Sequence, residues 1–413
     1  MIGDLSINAT NGTMIADGRK FATFSDFETV SFRSYAPITG TFSFTGFSGA
    51  DTVQVGALSV TINTLGGNDF VTLAAGSGTV IGGGGHDQLR ADYPNQSTVT
   101  LRGDLGNDTL IGGSGVSILQ GGDGDDNIQA NNSHSQIFGG SGDDTLALSF
   151  VASQTGAGNA LVDGGAGRDV LALTLFPTTT ALVMDLSTAT VTLANGAFFT
   201  GVEGFRLQST SGSDDIIASN DLRGALFNTI DGGMGNDTLH ASANGASLNG
   251  SFGIDVLIGA AGADLLTGGF GGDNDTLRGN GGNDTLIGSI GRDLLVGGVG
   301  ADHFALAQYY ESGTTTTTRD LITDFLRVQG DRINLATVDA VVLAGAPGDQ
   351  AFDFIGSAAF GLVAGELRAE KFNLAGTVDD YTLISGDING DGLADFTIEV
   401  KRLITFLDAD FVL

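Results

Sequence analysis

The chain has 413 residues, with 67 glycines, four prolines, no cysteine and a formal net charge of −31. The composition excludes collagen, which needs a Gly-X-Y period, disfavours disorder through its 41% apolar content, and rules out disulfides and thiolate metal sites. The charge argues against nucleic acid as a partner, and against anionic membranes unless a cation bridges the two. Of the 48 acids, 42 are Asp and only six are Glu. A generic solvated surface would draw on both; Asp is favoured where a short carboxylate must reach its own turn or a metal beside it.

Residues 1–45 show no strong pattern and are expected to form a cap or degenerate coils. The segment Met1-Ile-Gly-Asp-Leu5 lacks a basic region followed by an apolar run, so no Sec signal is expected, and no run of 18 apolar residues predicts a transmembrane helix. From residue 46 a nine-residue period sets in: Gly-Gly-x-Gly-x-Asp, any residue, one large apolar residue, any residue. The apolar position falls at Val53, Ile62, Val71, Val80 and Leu89, then at Leu101, Leu110, Leu119, Ile128, Ile137 and Leu146. The longer step from Leu89 to Leu101 places a bulge at Tyr93-Pro-Asn95.

The acids of this first block, residues 46–170, are Asp51, Asp69 and Asp87, then Asp108, Asp126 and Asp144, with Asp169 near its end. Alternate turns lack the acid; Ser117 and Ser135 stand there instead. A period of eighteen inside a period of nine has a simple geometry. Two nonapeptides make one coil of strand, turn, strand, turn, and turns eighteen residues apart stack on one edge at the ~4.8 Å spacing of adjacent strands. The predicted fold is all-β, a parallel β-roll or β-solenoid.

Residues 171–211 lose the Gly-Asp turns and are either degenerate coils or a β-rich insert. A second block, residues 212–305, resumes near Asp214 and Asp237. Its apolar row is Leu239, Leu248, Leu257, Leu266, Leu277, Leu286, Leu295 and Phe304. Here nearly every turn keeps its acid, at Asp255, Asp264, Asp275, Asp284, Asp293 and Asp302, so both edges of the coil should hold metal, against one edge in the first block. After Phe304 the period stops. Residues 306–413 are expected to mix strands and short helices in a cap, because a solenoid end otherwise exposes unpaired strand edges.

Glycine at the first, second and fourth positions frees the backbone to turn carbonyls toward one point, and the Asp closes the site. The first-position and fourth-position glycines are Gly82 and Gly85, Gly121 and Gly124, Gly139 and Gly142, and Gly297 and Gly300. Calcium takes six to eight oxygens at roughly 2.3–2.6 Å, more than one turn supplies and enough for two stacked turns. On the order of nine to ten Ca2+ sites follow, from pairs such as Asp108 with Asp126 and Asp264 with Asp284. Magnesium is disfavoured by its near-octahedral demand, and zinc by the scarcity of His and Cys. A further pattern, Asp387-Ile-Asn389-Gly-Asp391-Gly-Leu-Ala-Asp395, has the donor spacing of an EF-hand-type loop, but Ile398 stands where that loop needs Glu. The alternative is a double turn held by its own side chains.

The repeats, as in Gly82-Gly-Gly-Gly-His-Asp87 and Gly121-Gly-Asp-Gly-Asp-Asp126, resemble the RTX family of calcium-binding repeats over roughly residues 46–305. The resemblance implies a right-handed β-roll of calcium-binding nonapeptides. The last hundred residues resemble the secretion domain of serralysin-type proteases, in Asp320-Leu-Ile-Thr-Asp-Phe325, Asp331-Arg-Ile-Asn-Leu335, Phe352-Asp-Phe-Ile-Gly356 and the terminal Asp410-Phe-Val-Leu413. That implies export through type I secretion machinery and an extracellular or cell-surface location. The protease chemistry does not follow: none of the four histidines, at 86, 134, 240 and 303, begins a His-Glu-x-x-His, and no Gly-x-Ser-x-Gly is present. The expectation is a calcium-folded, non-enzymatic surface or matrix protein (S-layer, fibril or adhesin), with self-association or a cell-surface polysaccharide as partner. The alternatives are a polysaccharide-acting enzyme on the solenoid, or the secretion and folding module of a longer enzyme.

Overall fold

The computed structural model describes residues 5–8, 13–16, 19–23, 31–33, 38–92, 98–132, 134–151, 160–176, 181–188, 190–192, 197–218, 228–341, 350–374 and 380–413. Among these the chain is all-β, with two short 3-10 turns, Tyr309–Glu311 and Asp408–Asp410, and no helix long and apolar enough to cross a membrane. The proposed bulge at residues 93–95 lies outside the described residues. The chain divides into two compact units: residues 1–176 with 188–207, and residues 177–187 with 208–413.

In the first unit two parallel ladders alternate along the sequence. One runs through Gln88–Ala91, Thr109–Ile111, Asn127–Ala130, Thr145–Val151 and Val170–Phe176. The other runs through Val99–Leu105, Ser117–Asp123, Gln136–Ser141, Leu161–Ala166 and Phe198–Thr200. The register sets like on like: Leu110 faces Ile128, Ile128 faces Leu146, and Leu101 faces Leu119. All of these side chains are fully buried. The apolar position of the period is therefore the inward-facing row of a coil, and its neighbours on either side alternate outward, as strand geometry requires. The segment after residue 170 supplies strands to the same ladders, with one local antiparallel pairing of Thr190–Thr192 on Phe198–Thr200.

The second unit is built the same way. One inner row is Ile216, Leu239, Leu257, Leu277, Leu295 and Ile322; the other is Ile230, Leu248, Leu266, Leu286, Phe304 and Ile333. Both rows run on past Phe304, where the sequence period ends. Val400 follows Ile322 and Phe411 follows Ile333 as the next members. The antiparallel strands Glu366–Phe372, Tyr381–Asp387 and Phe396–Lys401 close this end, so the last repeat coils do not present an open ladder there.

Candidate metal centre: the stacked aspartate turns

Each turn places its Asp side chain inside the coil, where it is nearly or fully buried. In the first unit the Asp51 N–H donates to Asp69 Oδ1 at 2.6 Å, Asp69 to Asp87 at 2.8 Å, Asp87 to Asp108 at 2.7 Å, Asp108 to Asp126 at 2.7 Å, Asp126 to Asp144 at 2.8 Å, and Asp144 to Asp169 at 2.8 Å. Glu203 takes the next place, accepting from the Asp169 N–H at 2.9 Å. One carboxylate per coil therefore stacks along one edge.

The second unit carries two such rows. One runs Asp214, Asp237, Asp255, Asp275, Asp293 and Asp320; the other runs Asp264, Asp284, Asp302 and Asp331. Asp320 and Asp331 lie outside any Gly-rich turn, and sequence spacing alone did not single them out. The steps that reach them span 27 and 29 residues, so only the aligned inner rows at Ile322 and Ile333 could have signalled them.

Those hydrogen bonds use one oxygen. The second oxygen of Asp87, Asp108, Asp126, Asp144, Asp237, Asp255, Asp284 and Asp302 is buried without a hydrogen-bond partner. It lies over the first-position glycine. A Cβ on Gly82, Gly103 or Gly121 would sit 2.0 Å from the Oδ2 of Asp87, Asp108 or Asp126. The first glycine is thus required for space. The left-handed backbone belongs to the second and fourth positions, and the second takes it even without glycine, at Leu65, Asp104, Ser251, Asn280 and Ser289.

The fourth position is constrained twice. Gly85, Gly124 and Gly142 have φ of +128°, +125° and +127°. A Cβ on each would lie 2.0, 2.3 and 2.3 Å from the carbonyl oxygen of Gly67, Gly106 and Gly124 respectively, one coil earlier. Fourth-position carbonyls therefore aim along the stack, parallel to the carboxylate row. A second ladder, which sequence reasoning missed, runs outside them through the fifth position. His86 N–H donates to Asn68 Oδ1 at 2.9 Å, Asp143 to Asp125 at 2.8 Å, Ile254 to Asn236 at 3.0 Å and Ala301 to Asn283 at 3.0 Å. Its signal is the recurring Asn-Asp or Asp-Asp pair at the fifth and sixth positions. Where the acid is missing a hydroxyl stands in: Ser135 Oγ accepts from the Ser117 N–H at 3.1 Å.

Burial pushes the acids upward against the opposing N–H donation, with neighbouring carboxylates adding to it at all of those named next except Asp264. Asp108, Asp144, Asp237, Asp275 and Asp284 reach about 7, and Asp255, Asp264 and Asp302 about 6. Asp293 and Asp320, in contact and deeply buried, are both raised. A row of half-satisfied, mutually repelling carboxylates beside aligned carbonyls is chemistry that a hard cation satisfies. Among the described residues no three acidic or imidazole side chains converge on one point, so backbone oxygens, amide side chains or water would complete such a site.

The family profile for the RTX calcium-binding nonapeptide repeat, which spans four copies, matches residues 45–80, 61–89, 99–119, 120–149, 154–172, 227–245, 242–273 and 271–304. These stretches are RTX calcium-binding repeats. No curated protein matches the chain significantly. The carboxylate rows outrun the RTX matches, since Glu203, Asp214, Asp320 and Asp331 lie beyond them.

The EF-hand-type pattern is arranged differently. Asp387 accepts from the N–H groups of Asn389, Gly390 and Gly392, Asn389 Nδ2 donates to Asp395 Oδ1 at 2.8 Å, and Asp391 accepts from Leu393 at 2.8 Å. The donors satisfy one another as a double turn, while Ile398 is buried in the core. His86 is an exposed turn residue whose Nδ1 accepts from the Asn107 N–H at 2.8 Å.

Proposed function

We propose that this is a secreted, calcium-folded RTX protein with a structural role outside the cell, and that Asp51 to Asp169, Asp214 to Asp302, Asp320 and Asp331 hold the ions. The row of buried, unpartnered Oδ2 atoms carries the reading. Ions between consecutive turns would draw on those oxygens and on the fourth-position carbonyls. Metal binding then supplies folding free energy that one inner apolar pair per coil does not. Low cytosolic calcium would leave the chain unfolded and exportable, and calcium outside would fold it.

Export by type I machinery through the C-terminal segment is supported by the resemblance of residues 320–413 to the serralysin secretion domain. In the folded chain Phe411 and Val412 pair with Ile333 and Asn334, so a transporter could reach them only before folding. A structural role is supported by the extent of the coils and by the absence from the sequence of the protease and lipase motifs sought above.

Circular dichroism under calcium titration tests the reading. A cooperative gain of β signal with calcium, reversed by chelator, is the expected result. A β signal indifferent to chelator would overturn it.

A further inference from the structure

On one edge of the second unit, the third position of the turn is filled by large apolar residues in four successive coils: Met234, Phe252, Phe270 and Ile290. This position points outward, and the four are 58%, 48%, 67% and 42% exposed. Met234, Phe252 and Phe270 follow one another along a ridge, and Ile290 comes next beyond the Gly271-Gly272 insertion. Met234 and Phe252 are bridged along the backbone, the Phe252 and Phe270 rings are 6.1 Å apart, and a Cβ on Gly272 would lie 3.6 Å from Ile290. Ile254, at the fifth position, widens the ridge and is 52% exposed.

Nothing in the turn requires these residues. The corresponding third positions in the first unit are Gly84, Leu105, Asp123, Ser141 and Ala166, on the same backbone path. Charge is distributed the same way. The third and fifth positions of the ridge edge carry no acid, only Asn236, Asn274 and Arg292 beside the apolar residues, with half-buried Asp273 next to the two-residue insertion at the border. The equivalent positions of the first unit include Asp123, Asp125 and Asp143. In a chain of net charge −31, this ridge is a face on which a second copy can approach without setting carboxylate against carboxylate.

We infer that the ridge of Met234, Phe252, Ile254, Phe270 and Ile290 is a self-association surface, joining two copies of this chain edge to edge. A repeated row is self-complementary under a twofold, which a symmetric pair requires. Side chains of this size expose about 200 Å² when free, so five of them half exposed offer roughly 500 Å² per copy. Two copies would bury about 1,000 Å², the lower bound for a specific interface, which fits a reversible, concentration-dependent dimer. The inference rests on the calcium-folded reading only in needing the coils to be formed.

The test is sedimentation equilibrium of the full chain in millimolar calcium, with circular dichroism on the same samples to report folding separately. The expected result is a reversible dimer that tightens with added sodium chloride, as the net charge is screened. The double variant Phe252→Ser, Phe270→Ser should weaken it by about tenfold or more while the calcium-induced β signal is unchanged. Ile254→Asp, which adds an acid to the ridge, should weaken it further. A folded protein that stays monomeric at the highest concentration, a dimer indifferent to these variants, or a monomer that uses the ridge to bind neutral phosphatidylcholine vesicles would each overturn the inference. Failure of the β signal itself would instead overturn the calcium-folded reading.

Discussion

The neighbouring glycines Gly84 and Gly85 separate what a turn needs from what it tolerates. At Gly84 a Cβ meets no atom within 4 Å and φ is ordinary, so Gly84→Ala should be neutral or stabilising by ~0.5 kcal/mol, through the unfolded chain. At Gly85 φ is +128°, and a Cβ would sit 2.0 Å from the Gly67 carbonyl oxygen. An alanine there carries about 1–2 kcal/mol of backbone strain. To relieve the overlap the two coils must part by more than an ångström, at the place where the Gly67 N–H donates to Gly84 O at 2.7 Å and the Gly84 N–H to Leu65 O at 3.1 Å. Weakening one or two half-buried backbone hydrogen bonds adds ~1–3 kcal/mol. The sum is about 2–5 kcal/mol, between one and four orders of magnitude in the folding equilibrium. Urea unfolding at fixed calcium, followed by circular dichroism, measures both variants. If Gly85→Ala falls within about 1 kcal/mol of the unaltered protein, or Gly84→Ala costs as much as Gly85→Ala, close carbonyl stacking is not what the fourth glycine serves.

Four further outcomes follow from the carboxylate rows and the closing strands. Ladder acids such as Asp108, Asp144 and Asp237 rise to about 7 in the fold from about 4 in the unfolded chain, so the fold binds more protons than the coil between those values. Stability without calcium is therefore present at low pH and lost as pH rises through about 7; in chelator, β signal should grow from about pH 8 to about pH 5, and a loss on acidification would contradict the raised acids. Calcium affinity should move the opposite way, falling as protons compete below about pH 7, which calorimetry at two pH values would read. Asp126→Asn keeps the acceptor for the Asp108 N–H but removes a charge, so the calcium midpoint should rise by up to about tenfold while the chelated protein becomes more structured; an unchanged calcium midpoint would exclude Asp126 as a ligand. Arg327→Ala strips the charged partner from the buried Asp410 carboxylate and leaves it the Leu407 N–H; because Arg327 is 43% exposed, the expected cost is ~1–3 kcal/mol, read as faster hydrogen exchange in Phe411–Val412.

Much of this was legible beforehand because stacking repeats one local solution. The inner rows from Val53 to Leu146 and from Leu239 to Phe304 follow directly from a nine-residue period, since an apolar side chain at a fixed place in each strand must face the same way. The pairing of Asp51 with Asp69, or Asp284 with Asp302, follows from the same count. The pairings of Asp87 with Asp108 and Asp144 with Asp169 do not, because inserted residues break the spacing while leaving the strand ladder intact.

The sequence by itself determined the coil, its inner apolar rows, the acid in each turn and the cation chemistry those acids call for. The tertiary structure decided which acids are neighbours. A hydrogen-bonded ladder fixes the distance between coils, whereas the chain between them is free to lengthen, so steps of 18, 21, 25 and 34 residues all arrive at the same place in the stack. The structure also assigned the glycines separate roles, the first yielding to a carboxylate and the fourth to a carbonyl one coil away, and it carried the acid row on to Asp320 and Asp331. Those facts are set by contacts between coils, which no single repeat contains.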